Sequence, residues 1–375
     1  MQKIIITSSL ILFIVSSFFA QNALEKPVIL EKMRLANSYF MEKWPDTSEP
    51  IINDKKRPSN IWTRAVYYEG LMALHTIDPQ PAYYDYAVSW GEAHQWKFRG
   101  NRIYTRDADH QCAGQTYIDL YLIDPKPERI KNIKLAIDSM MATDKIDDWH
   151  WIDAIQMGLP VFAKLGKIYK NDAYYKRGFA MYNFAKKKHG DKGLYNKKDK
   201  LWWRDADFDP PYKEPNGEDC YWSRGNGWIV MALAKYLDIT PTDAPYRKVM
   251  KRDLKRMAKA LAKVQRIDGF WNVSLHDPTN FGGKETSGTA MFTYAMAWGI
   301  NNGILKSKKY KPIVEKAWTA MVNEALHPNG FLGYMQSTGK EPKDGQPLSY
   351  DKIPNFEDYG LGAFLLAGSE VYKME

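Results

Sequence analysis

The chain has 375 residues, of which 45% are hydrophobic and 26% charged, and its formal net charge is +9. This apolar content excludes a disordered chain, and the length allows an ample core. Two cysteines, Cys112 and Cys220, rule out a disulfide framework: they permit at most one bridge and read more readily as small buried hydrophobes.

Met1 to Ala20 carries Lys3 and then the apolar run "IIITSSLILFIVSSFFA", the pattern of a secretory signal peptide rather than a membrane anchor. No later apolar run approaches the roughly 20 residues that span a bilayer. The expectation is an exported protein, periplasmic in the first instance, with residues 21–375 forming one domain. Apolar periodicity near 3.6 predicts about twelve helices. They start near Val28, Trp62, Pro81, Asp109, Pro127, Asp148, Asn171, Tyr221, Ala244, Glu285, Lys309 and Phe356.

Two kinds of helix alternate along this series. Segments such as "KPERIKNIKLAIDSMM" and "RKVMKRDLKRMAKALAKVQ" have one charged face. Segments such as "WTRAVYYEGLMALH", "HWIDAIQMGLPVFAKL" and "TSGTAMFTYAMAWGI" are apolar on nearly every side, which marks buried helices. Six buried and six half-wet helices describe a two-helix unit repeated six times. An open solenoid would leave one side of each inner helix wet. The closed alternative, an all-α (α/α)6 barrel, buries them. Its inner helices all start at one end, so their first turns ring a single cavity, and their N-termini favour an anionic ligand there.

The polar residues concentrate at those predicted starts. "DDWHWIDAIQMGLP" packs three aspartates, two tryptophans and a histidine ahead of an apolar run closed by Gly158 and Pro160. Asp153 is expected about one turn inside its helix, where propensity disfavours aspartate. Asp109 in "RDADHQCAGQTY" opens another inner helix, as a general acid or as an N-cap. Desolvation at such positions raises a carboxyl pKa into the range a general acid needs. Asp147 and Asp148 read as caps and rim solvation. Arg224 in "YWSRGNGW" is the main cation, able to fork onto a carboxylate or to pair with Glu218 or Asp219. Gly225 and Gly227 behind it would let backbone approach a ligand.

Thirteen tryptophans exceed what a core usually requires, and flat rings accept the apolar faces of sugars. Trp62, Trp149, Trp151, Trp202, Trp203 and Trp222 are the stacking candidates, half of them expected to be core, with His150 as a hydrogen-bonding neighbour. The positive charge suits an anionic partner such as an acidic oligosaccharide. No zinc spacing, nucleophile elbow or phosphate loop occurs, so neither metal nor cofactor is expected. Nothing marks a nucleic-acid binder, and no membrane segment remains once the signal is removed. "NVS" at Asn272 fits a glycosylation acceptor, a triplet common by chance.

Six blocks then carry a resemblance: "DADHQCAGQTYIDLY", "WHWIDAIQMGLP", "YWSRGNGWIVMALA", "DGFWNVSLHDP", "ETSGTAMFTYAMAWGINNGIL" and "DYGLGAFLLAGSEVY". In this order they resemble glycoside hydrolase family 105, the unsaturated rhamnogalacturonyl and glucuronyl hydrolases. The resemblance implies an (α/α)6 barrel that removes the 4,5-unsaturated uronic acid left at the non-reducing end by polysaccharide lyases. It implies Asp153 as general acid/base, Asp109 as the second essential carboxylate, and Trp222 and Arg224 as substrate contacts. One departure concerns the sugar beyond the uronyl group: where rhamnogalacturonan-type members carry a histidine motif, this chain has "GLYNKKDKLWWRDADF". An inverting glycosidase or sugar epimerase on the same barrel, or a non-catalytic glycan-binding protein, are the competing expectations.

Overall fold

The computed structural model describes residues 22–375; the expected signal peptide, Met1 to Ala20, lies outside the described residues. Among the described residues no helix is long and apolar enough to cross a membrane.

The inner helices are α2 (Trp62–Ile77), α4 (Ala108–Gln111) with α5 (Ala113–Ile123), α7 (Asp153–Tyr169), α9 (Ser223–Ile239), α11 (Thr286–Asn301) and α13 (Asp358–Lys373). Alternating with them in sequence, and beginning ahead of α2, run the outer helices α1 (Lys26–Lys43), α3 (Pro81–Ala93), α6 (Glu128–Met141), α8 (Asp172–Lys187), α10 (Arg247–Leu261) and α12 (Ser307–Ala320). Each inner helix packs on the next, and α13 closes on α2. This is the (α/α)6 barrel that the alternation of apolar and half-wet helices predicts. The only paired strands among the described residues, Ile51–Ile52 and Lys56–Arg57, form a small antiparallel hairpin.

Side-chain caps fix three of the helix starts, those of α4, α8 and α11. Asn171 accepts a hydrogen bond from the Ala173 N–H, and Glu285 caps α11 by accepting from the Ser287 and Gly288 N–H groups at 2.8 and 2.7 Å. The predicted helix at Asp109 divides at Cys112 into α4 and α5. Helix α7 runs straight through Pro160, which has no N–H for the carbonyl four residues earlier. The Gln115 side chain supplies the missing donor, its Nε2 lying 2.9 Å from the Gln156 carbonyl oxygen. Gly158 is where it is because an added Cβ would stand 2.8 Å from the ring of the buried Trp149.

The barrel has two distinct ends. At one, the first turns of the inner helices converge: Trp62 lies 5.9 Å edge-on to Trp228 and 5.5 Å from Tyr359. At the other, Glu69, Asp119, Lys164, Lys235 and Glu370 line a cavity of about 350 Å³. Glu69 of α2 and Lys235 of α9 form a buried ion pair. Gln156 donates to Glu69 at 3.1 Å, and the Cys112 thiol lies 3.3 Å from it. Both cysteines are free and buried. Asn272 is buried too; its side-chain oxygen accepts from Arg266 at 2.6 Å and from the Gly283 N–H at 3.1 Å, a poor glycan acceptor.

Candidate active site

Asp153 heads α7 rather than sitting a turn inside it. The predicted start at Asp148 fails because "DDWHW" is tied down from outside the helix. Arg106 forks onto Asp148 at 2.8 and 2.6 Å, and the Ile152 N–H donates to the Arg204 carbonyl at 2.9 Å. Asp148 is therefore an ion-pair anchor, not a cap, while Asp147 stays exposed beside Lys145. Asp153 itself is 9% exposed, and its Oδ2 is buried with no hydrogen-bond partner. Burial raises its pKa against the opposing charges of Arg204 and Arg224.

Asp109 lies in α4, which packs on α7. The cap of this helix is Asp107, whose carboxylate accepts the Asp109 N–H at 2.9 Å, so the Asp109 side chain is left free for other work. Desolvation, then the charges of Asp107 and Asp153, push its pKa up to about 7, with Arg204 and Arg99 pulling the other way. Two carboxyl groups that disfavour ionisation thus stand at the heads of neighbouring inner helices, each within electrostatic reach of the other.

Arg204 is the residue that the sequence reading missed. Its Nε lies 3.4 Å from Asp153 Oδ2, and its Nη1 donates to Asp205 Oδ2 at 2.5 Å. Local sequence held only a weak signal, a cation among acids in "WWRDADF", within the block that departs from the resemblance.

Arg224 is 1% exposed and already well occupied. Nη1 donates to the Gln336 carbonyl at 2.9 Å and the Tyr359 hydroxyl at 2.6 Å, and Nη2 to the Ser337 carbonyl at 2.9 Å. Its guanidinium stacks over Trp222 at 4.4 Å. It pairs with neither Glu218 nor Asp219, whose carboxylate is held by Lys213. Gly225 and Gly227 serve packing, not ligand approach: a Cβ on either would stand 2.9 Å from Ile152 or 2.7 Å from Met291.

The tryptophans divide by burial. Trp149, Trp202 and Trp222 are fully buried, and the Trp222 Nε1 is spent on Gln336 at 2.9 Å. Trp222 thus packs under the Arg224 guanidinium and offers no open stacking platform. Trp62 and Trp151 keep partial exposure, Trp203 is buried against Tyr221, and His150 is exposed, 4.5 Å edge-on to Trp151.

With this geometry in view, residues 32–375 match the family model described as Glycosyl Hydrolase Family 88. The chain belongs to that family. It is a glycosidase by that membership, and the resemblance read from the six blocks is borne out. It is similar to the unsaturated 3S-rhamnoglycuronyl hydrolase of Formosa agariphila, 33% identical over 336 residues, covering 84% of this chain and 85% of that one. A solved family 88 glycosyl hydrolase from Bacteroides vulgatus is 34% identical with a TM-score of 0.84, over 93% of this chain and 99% of that one. A family 105 structure from C. acetobutylicum, 21% identical with a TM-score of 0.73, covers 91% of this chain and 99% of its own and shares the fold.

Proposed function

We propose that this glycosidase removes a 4,5-unsaturated uronic acid from the non-reducing end of lyase-generated oligosaccharides, with Asp153 as the acid. The relative's name, an unsaturated 3S-rhamnoglycuronyl hydrolase, supports rhamnose as the next sugar. Together with the net positive charge, it favours an ulvan-type, sulphated fragment over a rhamnogalacturonan one. The apolar start of the chain favours export to the periplasm as the place of work.

The substrate is a vinyl ether. Protonation at C4 leaves a cation at C5 stabilised by the ring oxygen; water adds at C5, and the hemiketal so formed opens and releases the aglycone. C1 is never attacked, so the separation rule for paired glycosidase carboxylates does not apply. The reaction needs a carboxyl group that holds a proton near neutral pH above one ring face. The observation that carries the reading is the pair of desolvated carboxyls at the heads of α4 and α7, both with raised pKa. Asp153 donates the proton and then, as carboxylate, assists the water. Asp109 orients the sugar hydroxyls.

The test is Asp153→Asn, followed by loss of the alkene's ultraviolet absorbance. General acid–base assistance is worth roughly 10²–10⁴ in rate, so the variant falls by at least that range with unchanged helicity. A variant retaining more than about a tenth of the wild-type rate removes Asp153 from the role. Equal hydrolysis of saturated and unsaturated oligosaccharides would favour the inverting-glycosidase alternative.

A further inference from the structure

An anionic ring held over Asp153 needs a cationic receptor for its carboxylate, and two arginines face the site. Arg224 has three of its five donors committed to the Gln336 and Ser337 carbonyls and the Tyr359 hydroxyl. Moving it would break the contacts that hold the 336–337 segment. Arg204 is differently placed. Its side chain is 21% exposed, and its single hydrogen bond, through Nη1, goes to its neighbour Asp205. Its Nη2 has no partner among the described residues, and its Nε approaches Asp153 without a hydrogen bond to it. A guanidinium with open donors beside the catalytic carboxyl is suited to a bidentate carboxylate.

We propose that Arg204 is the receptor for the uronate carboxylate and that its engagement there completes the protonation of Asp153 when substrate binds. The proposal rests on the uronide reading above. In the free enzyme the guanidinium faces Asp153 at 3.4 Å and favours its ionised form. The other charged groups facing Asp153 are Arg224 from α9, Asp205 from the same loop as Arg204, and Asp109 from α4. A bound uronate compensates the Arg204 charge and brings a second anion close to Asp153. The fraction of Asp153 that is ionised in the free enzyme then takes up a proton from the buffer, and no other bond changes. Loading of the acid, which desolvation already favours in the free enzyme, is thereby completed in the complex, where the C4 carbon is present to receive the proton.

The test uses Arg204→Met and Arg204→Lys, with circular dichroism to verify the fold. Binding is measured first by calorimetry with methyl β-D-glucuronide, which has the carboxylate but no alkene. Arg204→Met is expected to weaken this binding roughly 10–100-fold and Arg204→Lys to recover part of it, the scale of a lost charged hydrogen bond. In turnover of the unsaturated uronide, the wild type should prefer the free acid to its methyl ester, and Arg204→Met should erase that preference. The basic limb of the wild-type kcat profile, which reports the complex, should lie about one pH unit above that of kcat/KM. The gap should close in Arg204→Met. Wild-type-like glucuronide binding or an intact acid-over-ester preference in Arg204→Met overturns the proposal. Arg204-dependent glucuronide binding without any alkene consumption by the wild type would instead sustain the receptor and overturn the uronide reading.

Discussion

Asp109 gives a prediction that joins stability to function. Its pKa of about 7 arises first from desolvation and then from the charges of Asp107 and Asp153. Against a free value of about 3.9, the displacement of about three units corresponds to roughly 4 kcal/mol at 1.36 kcal/mol per unit. The sign follows from the direction. A carboxyl with a raised folded-state pKa favours the native state fully below its unfolded pKa and loses that contribution as pH rises through the folded one. At pH 8.5 the wild type therefore carries the whole penalty of a desolvated charge, whereas at pH 5 it carries only about a third of it. Asp109→Asn cannot ionise. Its stability relative to wild type should improve by roughly 2–3 kcal/mol between pH 5 and pH 8.5. At an unfolding entropy near 2.1 cal/mol/K per residue over about 350 residues, this is a relative gain of about 3–4 °C in Tm. Thermal melts of both proteins across that range measure it, with alkene consumption assayed alongside. A variant that gains stability with rising pH while losing activity marks a carboxyl kept for chemistry at the expense of the fold. A stability difference that stays flat with pH, or that favours the variant most on the acid side, refutes the assignment of a raised pKa.

Two further perturbations probe the frame around the site. Lys235→Met leaves the Glu69 carboxylate buried without its partner and should cost about 3–5 kcal/mol in chemical denaturation, whereas pairing it with Glu69→Leu should restore most of the loss. Gly158→Ala forces a methyl group against the Trp149 ring and should destabilise by about 1–3 kcal/mol, read as a lower denaturation midpoint.

The fold was legible because the barrel's constraints are periodic. A helix buried on every side must be apolar on every side, and residues such as Asn171 and Glu285 announce a helix start through bonds they make within three positions. The start of α7 was misread for the same reason in reverse. Asp147 and Asp148 look like caps locally, but Asp148 answers to Arg106, 42 residues earlier, and the next turn is fixed by the Arg204 backbone. Pro160 offered a false stop because the donor that replaces its missing N–H sits on Gln115, in another helix.

The site divides along the same line. Asp109 and Asp153 stood out because aspartates at the mouths of apolar helices oppose their surroundings, and such opposition shows in one dimension. Which arginine faces them does not. Arg224 looked available from its glycines and tryptophans, yet those glycines admit Ile152 and Met291, and carbonyls from the 336–337 segment occupy the guanidinium. Arg204, in the block that departs from the resemblance, lies 3.4 Å from Asp153. A charged group's role is set by which partners reach it and which donors they leave open. Those partners come from segments more than a hundred residues away for Arg224 and about fifty for Arg204, beyond the range of any local pattern. Asp153 and Arg204 are also groups that a stability-driven sequence would neutralise, since each keeps a buried polar atom without a hydrogen-bond partner, and burial holds the Asp109 carboxyl above its usual pKa. Their joint retention at one end of the barrel is most simply explained by a ligand that completes them.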